Sequence, residues 1–224
     1  MDTQIITGCG GITVTCHAGA MNTEDNTVSS IEKVVHLGAE IVEFDVSFRP
    51  DGTPVMIHKE KPESTEGELI YKALAVVAES SICKINLDLK STANLPELER
   101  LIKEYGLFDR VFYTGVDENW VDAVKANSTI PYYLNHAITE AQAADKAEAQ
   151  AIADKAKALG AIGINSNFSG GSKLFTDIMH ENGLLVSYWT PNSEADMLTV
   201  IGFKPDNITS KHPDMLADLL KKSA

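Results

Sequence analysis

Two carboxylates near the start of the chain have a spacing that could do chemistry. Glu43 and Asp45, in the string EFDV, are two residues apart, so on a strand both side chains point to the same face. Their neighbours are apolar and point to the opposite face: Val42, Phe44, Val46 and Phe48. Two adjacent anions beside apolar packing are costly unless a cation lies between them. The pair predicts oxygen ligands for Mg²⁺ or Ca²⁺, and the alternative is an exposed edge strand with solvated charges.

Two histidines flank this pair in the sequence. His17 and His58 each follow a short β-branched or apolar run, so each is expected at the end of a strand. One imidazole could protonate a leaving oxygen while the other removes a proton from a nucleophile. A lone histidine is more often structural, but two of them around a carboxylate pair predict a metal-assisted acid–base site. The other four are expected at the surface or in packing: His36, His136, His180 and His212.

Further polar and aromatic residues lie at later strand ends. Asp88, in NLDLK, is a third candidate ligand, although alone it would be taken for a helix cap or an ion-pair partner. Lys90 is two residues on and could hold a phosphate oxygen as a point charge. Trp189, in YWTPN, could wall a substrate pocket or fill the core. Gly170–Gly171 is a weak candidate for a phosphate-binding turn.

The elements that must position these residues alternate along the chain. The β-branched and aromatic runs predict eight main strands: Thr13–His17, Ile41–Phe48, Lys84–Lys90, Val111–Thr114, Ile130–Asn135, Ala161–Asn165, Leu184–Thr190 and Asn207–Ser210. Val55–His58 is expected as a short extra strand. The helices are predicted between them: Thr27–Leu37, Leu69–Ser80, Pro96–Tyr105, Glu118–Asn127, Thr139–Leu159, Lys173–Asn182, Ser193–Ile201 and Pro213–Lys222.

Eight βα units in 224 residues predict a TIM (β/α)8 barrel, a single domain over residues 1–224, with a doubly wound open sheet as the alternative. Three of these strands, which carry Glu43, Asp88 and Asn165, favour the barrel because they place polar side chains on one face and apolar side chains on the other. In such a barrel, the polar groups at the carboxyl ends of the strands converge on one mouth.

Composition excludes several classes of protein. The net charge of −13 argues against nucleic acid or an anionic membrane surface as a partner. No apolar run approaches the roughly 20 residues that span a bilayer, so no membrane insertion is expected. The N-terminus is a poor signal peptide and the three cysteines lack metal-type spacing, which predicts buried thiols in a cytoplasmic protein. No dinucleotide, Walker or GxSxG motif supports a nucleotide cofactor or a serine hydrolase.

At the level of motifs, the chain resembles the glycerophosphodiester phosphodiesterases. The resemblance is dense over the first ninety residues and collinear to the end, and it rests on these strings: HAG at 17–19, DNT at 25–27, GAEIVEFDV at 38–46, DGTPVMIH at 51–58, NLDLK at 86–90, YWTPN at 188–192 and NITSKHPD at 207–214. It implies a TIM barrel, a divalent cation and two catalytic histidines.

Carried over residue by residue, the resemblance implies metal ligands at Glu43, Asp45 and Asp88, an acid and a base at His17 and His58, and a phosphate contact at Lys90. The implied substrate is a small-molecule phosphodiester such as glycerophosphocholine, which would give glycerol phosphate and an alcohol. The alcohol, the choice of metal, the assignment of acid and base, and the oligomeric state stay open.

Departures from the family pattern motivate two further hypotheses. The usual HRG is His17-Ala18-Gly19, which removes an arginine that would contact phosphate, and the usual His-Asp is His58-Lys59. Lys59 is therefore expected to replace the lost cation and to bind substrate. The segment between His58 and Asp88 is short and its KEKPESTEGE run is expected to form a loop, which predicts an open mouth. The competing interpretation is a degenerate barrel that binds a phosphorylated small molecule without hydrolysing it.

Overall fold

The structure, a computed structural model, describes residues 6–223. Its strands in chain order are β1 Thr13–Cys16, β2 Ile41–Phe48, β3 Pro54–Met56, β4 Glu68–Leu69, β5 Lys84–Leu89, β6 Val111–Val116, β7 Tyr132–Asn135, β8 Gly163–Asn167, β9 Leu185–Trp189 and β10 Asn207–Ser210. Its α-helices are α1 Val28–His36, α2 Ile70–Ala78, α3 Leu95–Glu104, α4 Val121–Asn127, α5 Glu140–Ala144, α6 Lys146–Leu159, α7 Lys173–Glu181, α8 Glu194–Phe203 and α9 Pro213–Ser223.

Eight of the strands form a closed parallel barrel. The order around it is β1, β2, β5, β6, β7, β8, β9 and β10, and β1 pairs with both β2 and β10, so the ring has no free edge. β3 and β4 extend β2 as an antiparallel ribbon. The predicted TIM barrel is confirmed, and the doubly wound alternative is excluded because an open sheet would leave two edges. A single domain over residues 1–224 stays a prediction, since residues 1–5 and 224 lie outside the described part.

The apolar core is a shell between the strands and the outer helices. Strand side chains that point outward are fully buried there, among them Val14, Phe44, Leu87, Leu134 and Ile164. Alternation turns their neighbours into the barrel, where the interior is polar. Buried hydroxyl and amide side chains line it, including Thr15, Asn86, Thr114, Asn165, Ser187, Asn207 and Thr209. Among the described helices, none is long and apolar enough to cross a membrane.

The helix predicted over Thr139–Leu159 is wrong, because the chain breaks it at Asp145. That residue has extended backbone angles (φ −105°, ψ 120°), and its carboxylate accepts hydrogen bonds from the backbone N–H groups of Ala147 and Glu148. It therefore caps the start of α6, and the capping box formed by Thr139 and Gln142 begins the separate helix α5. The predicted strand Val55–His58 is shorter than expected, because β3 ends at Met56.

Candidate active site

A cavity of about 550 Å³ opens at the carboxyl ends of the barrel strands. Seven of the eight residues predicted to form a site line it together: His17, Glu43, Asp45, His58, Asp88, Lys90 and Trp189. Lys59 is the one that the structure does not bring there. Trp189 is 37% exposed, so its indole belongs to the mouth and not to the core.

Three carboxylates meet in this cavity. Glu43 and Asp45 lie on β2, and Asp88 lies opposite Asp45 on the neighbouring strand β5. One oxygen from each of the three lies within 4.8 Å of the others. Such an arrangement is expected of a site that holds a cation through oxygen ligands.

Glu43 is buried, with 5% of its surface exposed. Burial raises its pKa well above the usual range, and the negative charges of Asp45 and Asp88 raise it further. The backbone N–H of Ala18 donates a 2.8 Å hydrogen bond to Glu43 Oε2, and Lys90 adds a positive charge, but both only partly offset the repulsion. A cation placed beside Glu43 would remove this penalty.

Lys90 lies between the other two carboxylates. Its Nζ is 3.0 Å from Asp45 Oδ1 and 2.7 Å from Asp88 Oδ2. Burial alone would lower the pKa of Lys90, but the two neighbouring carboxylates outweigh burial and raise it. With one lysine against three carboxylates, the cluster has an unbalanced negative charge, so its donor set fits a divalent cation.

Asn26, from the DNT string, holds Asp45 in place. Its side-chain Nδ2 donates to Asp45 Oδ2 at 2.7 Å, and its Oδ1 accepts the backbone N–H of Asp45 at 2.9 Å. Both bonds fix the amide orientation. The resemblance in the DNT string was the only signal for this residue, because an asparagine in a polar loop has no diagnostic spacing.

The His17 imidazole has a defined hydrogen-bond partner. Its Nδ1 lies 2.9 Å from the backbone carbonyl of Ala18, and a carbonyl can only accept, so Nδ1 carries the proton in the neutral ring. Nε2 is then the atom that can accept a proton. The ring also lies 3.8 Å from Glu43, which joins it to the acidic cluster.

His58 is exposed and lies two residues beyond the end of β3. The backbone N–H of Ile57 donates to the carbonyl of Asp45 at 3.2 Å, which continues the pairing with β2 past the end of the strand. This bond brings His58 to the cavity from the antiparallel ribbon, whereas the other predicted residues come from barrel strands or from the segments that follow them.

Lys59 has a partner elsewhere. Its Nζ is 2.6 Å from Glu66, in an exposed part of the segment between β3 and β4. A different lysine, Lys211, follows β10 and pairs with a residue that lines the cavity. Its Nζ contacts both carboxylate oxygens of Asp25, at 2.9 and 3.0 Å, and Asp25 lines the cavity.

The Gly170–Gly171 turn serves packing. A Cβ on Gly171 would lie 2.6 Å from the ring of Tyr188, and one on Gly170 would lie 1.7 Å from the carbonyl oxygen of Ile138. Both glycines are explained by this close approach, and neither lines the cavity.

The walls and floor of the cavity include uncharged polar residues that the sequence did not single out as site residues. Thr114 on β6 donates to Asn86 Oδ1 at 2.8 Å and lies 3.2 Å from Asp88 Oδ1. Asn135 on β7 accepts the backbone N–H of Gly115 at 2.9 Å, and Asn165 on β8 donates to the same Asn135 oxygen at 3.0 Å. The alternating polar face of each strand was the available signal.

Residues 17–68 match the model of the glycerophosphoryl diester phosphodiesterase family. This stretch carries five of the candidate residues, and the match confirms the resemblance predicted from the sequence. No curated protein matches the chain.

Solved structures share the barrel. A protein from Silicibacter pomeroyi has a TM-score of 0.79 at 15% identity, over 97% of this chain and 96% of that one. An Oleispira antarctica phosphodiesterase, solved in complex with the product sn-glycerol-3-phosphate, has a TM-score of 0.77 at 17% identity, over 93% and 96%. A Parabacteroides distasonis glycerophosphodiester phosphodiesterase has a TM-score of 0.71 at 16% identity, over 96% and 99%. At these identities the likeness establishes the fold.

Proposed function

We propose that this chain, a member of the glycerophosphoryl diester phosphodiesterase family, hydrolyses a glycerophosphodiester to glycerol phosphate and an alcohol with the help of a divalent cation. The observation that carries the proposal is the cluster of Glu43, Asp45 and Asp88, whose oxygens converge within 4.8 Å in a cavity that His17 and His58 also line. An acidic cluster, two imidazoles and a lysine together suit the splitting of a phosphodiester.

The three carboxylates would hold the cation. Their hard oxygen donors suit Mg²⁺ or Ca²⁺. When bound, the cation would supply Lewis-acid stabilisation of the negative charge on the phosphate oxygens. The raised pKa of Glu43 supports this assignment, because the buried acid has too little positive charge around it.

The two histidines would move protons. Nε2 of His17 is free to accept the proton of the attacking hydroxyl, because Nδ1 is held by the carbonyl of Ala18. His58, exposed at the mouth, would donate a proton to the oxygen of the departing alcohol. The attacking hydroxyl is either water or a neighbouring hydroxyl of the substrate, which would give a cyclic intermediate.

Lys90 would bind the phosphate. Its ammonium already lies between two of the carboxylates, so a phosphate oxygen next to the cluster could contact it directly. Trp189 would form the wall of the mouth against the alcohol half of the substrate.

A cytoplasmic location stays a prediction of the sequence.

The test is an assay of the purified protein on glycerophosphocholine, glycerophosphoethanolamine and a chromogenic phosphodiester, each with Mg²⁺, Ca²⁺ or a chelator. Turnover that needs the metal and falls by roughly 10²–10⁴-fold in His17→Ala and in His58→Ala is expected. His36→Ala, which changes an exposed histidine on α1, is the matched control and should keep full activity. Metal binding without turnover of any diester would contradict the proposal and would indicate a non-hydrolytic barrel.

A further inference from the structure

We infer that the outer face of α8 is an interface between two copies of this chain, which pair their α8 helices antiparallel about a two-fold axis. The face consists of Ala195, Leu198, Thr199 and Gly202 and is called the α8 face below. None of these residues lines the cavity of the candidate active site, so the inference does not depend on the proposed function.

The α8 face is uncharged although it is exposed to solvent. The helix buries Met197 and Val200 on its inner side, whereas the four residues of the α8 face, spaced i, i+3, i+4 and i+7, are all exposed. A surface helix usually has charged or polar residues at such positions. Here Leu198 is 47% exposed, and the hydroxyl of Thr199 donates to the backbone carbonyl of Ala195 at 2.9 Å, so its proton is used within the helix.

Gly202 has no explanation within one copy of the chain. Ten of the 15 glycines have a positive φ, and four others would clash if they carried a Cβ. Gly202 is in neither group, because a Cβ there would meet nothing within 4 Å. It does not cap the helix either, since the left-handed residue at the end of α8 is Lys204 with φ 57°. Glycine is unfavourable in a helix, and the close approach of a second backbone would explain it here.

Two charges flank the α8 face at opposite ends of the helix. Glu194 is the first residue of α8 and Lys204 follows its last, and both are exposed. Within residues 6–223 neither side chain makes an ion pair. Two such helices in parallel would bring like charges together, whereas the antiparallel arrangement places each glutamate beside the lysine of the other copy. Charge complementarity therefore favours a second copy of this chain as the partner.

The α8 face is also complementary to itself in shape. With the two-fold axis between Leu198 and Thr199, Ala195 of one copy lies opposite Gly202 of the other, because both are equally far from the axis. Their small size lets the helices approach closely, so that the leucine of each copy packs on the other helix. The net charge of −13 opposes association, but the α8 face is neutral and the charges at its ends pair. One helix from each copy gives a small interface, which predicts a weak dimer.

Sedimentation velocity of the full chain tests the inference. We expect a monomer at micromolar concentration that becomes a dimer with a Kd of about 10–100 µM. Leu198→Glu should raise this Kd at least about a hundredfold, because it brings two unpaired charges together at the axis. Leu185→Glu is the matched control, since that leucine is 40% exposed but lies on β9, and it should leave the Kd unchanged. A monomer at every concentration, or a dimer that Leu198→Glu leaves intact, would overturn the inference.

Exchange of the charges at the ends of the helix tests the antiparallel orientation. Glu194→Lys and Lys204→Glu should each raise the Kd by about fivefold, because each places like charges side by side. The double variant should return the Kd to within about twofold of the wild type. A double variant that dimerises no better than the single ones would overturn this orientation.

Gly202→Gln separates the interface from the stability of one copy. It should raise the Tm of dilute protein by about 1–2 °C, because glutamine favours a helix more than glycine does. The same change should raise the Kd by at least about tenfold, because its side chain holds the two helices apart. A higher Tm with an unchanged Kd would overturn the close approach at Gly202.

Discussion

At the scale of single residues, two buried glutamates show how surroundings decide the role of a carboxylate. Glu43 has the charges of two other acids beside it, and its pKa is raised by burial and by their repulsion. Burial would likewise raise the pKa of Glu99, on α3, but hydrogen bonds from Lys103, Ser128 and Thr129 outweigh burial and lower it to about 2. The first glutamate is destabilising unless it has a ligand, and the second stabilises the fold.

Opposite stability effects are therefore expected from the same substitution at the two sites. Without metal at pH 7, Glu43→Gln should raise the free energy of unfolding by about 1–2 kcal/mol, because it removes a carboxyl group whose pKa is raised in the folded state by burial and by the charges of Asp45 and Asp88. Glu99→Gln should lower it by about 1–3 kcal/mol. Urea denaturation in the presence of a chelator measures both.

The contribution of Glu99 to the free energy of unfolding should depend on pH. Its pKa is about 2 in the fold against an ordinary value of 4.5, so its contribution is complete above pH 4.5 and is lost as the pH falls toward 2. The difference between wild type and Glu99→Gln should shrink over that window. A difference that stays constant from pH 7 to pH 2 would show that the hydrogen bonds do not act through the charge.

The two lysines proposed for substrate binding should behave differently. Lys90→Ala should lower kcat/KM for glycerophosphocholine by about 10²-fold or more, because a charge-assisted contact in a sheltered site is lost. Lys59→Ala should change KM by less than about twofold, since its ammonium is exposed and paired with Glu66. Steady-state kinetics compare the two variants. A several-fold rise in KM for Lys59→Ala would instead support the sequence hypothesis that Lys59 replaces the missing arginine.

At the scale of elements, an irregularity in β6 positions one of the three acids. The pairing of β6 with β7 shifts register between Tyr113 and Val116, and Gly115 lies in that gap with φ +76°. Asn135 Oδ1 accepts a hydrogen bond from the backbone N–H of Gly115, which the shift in register leaves without a partner on the neighbouring strand. A Cβ on Gly115 would lie 2.5 Å from Asp88 Oδ1, so the absence of a side chain makes room for the ligand.

Gly115→Ala is accordingly expected to affect both stability and metal binding. The left-handed backbone and the clash together should cost about 2–4 kcal/mol, and displacement of Asp88 should weaken the affinity for Mg²⁺ or Ca²⁺. Gly106→Ala is the control, because that glycine has φ +68° but nothing within 4 Å of the added Cβ. It should cost only about 1–2 kcal/mol and leave the affinity unchanged. Thermal unfolding and calorimetric metal titration distinguish the two, and equal effects on affinity would refute the role of Gly115.

Strands in which polar and apolar residues alternate could be predicted from the sequence. Boundaries that depend on a single side-chain hydrogen bond could not. The predicted bounds of β2 and β10 match the structure, and in β2 apolar and polar residues alternate from Val42 to Phe48. The break before α6 was missed, because the alanine-rich stretch favours a helix throughout and Asp145 acts only through its cap. Asn135 and Asn165 were missed as site residues because strands far from β2 in the sequence bring them to the cavity.

At the scale of the whole molecule, the site and the fold are coupled through charge. The chain carries a net charge of −13, and three of its acids face each other in one cavity. A ligand that binds the folded state alone stabilises it in proportion to the logarithm of its concentration. The proposed cation should therefore stabilise the entire barrel.

Addition of Mg²⁺ or Ca²⁺ at about 100 times its dissociation constant should raise the Tm by about 5–10 °C. Differential scanning calorimetry with and without a chelator measures this shift. In Asp45→Asn the shift should shrink, because one of the three oxygen donors loses its charge. A Tm that responds equally to metal in the wild type and in Asp45→Asn would place the bound ion elsewhere.

Each barrel strand contributes to the core with its outward side chains and to the polar interior with its inward side chains. Apolar side chains that point outward, such as Phe44 and Leu87, hold the helices, and the inward neighbours Glu43 and Asn86 meet the cavity. Exchange of an inward residue therefore leaves the outer packing intact. Substitutions of the inward side chains, by evolution or by engineering, could therefore change the substrate preference while the packing of strands against helices is kept.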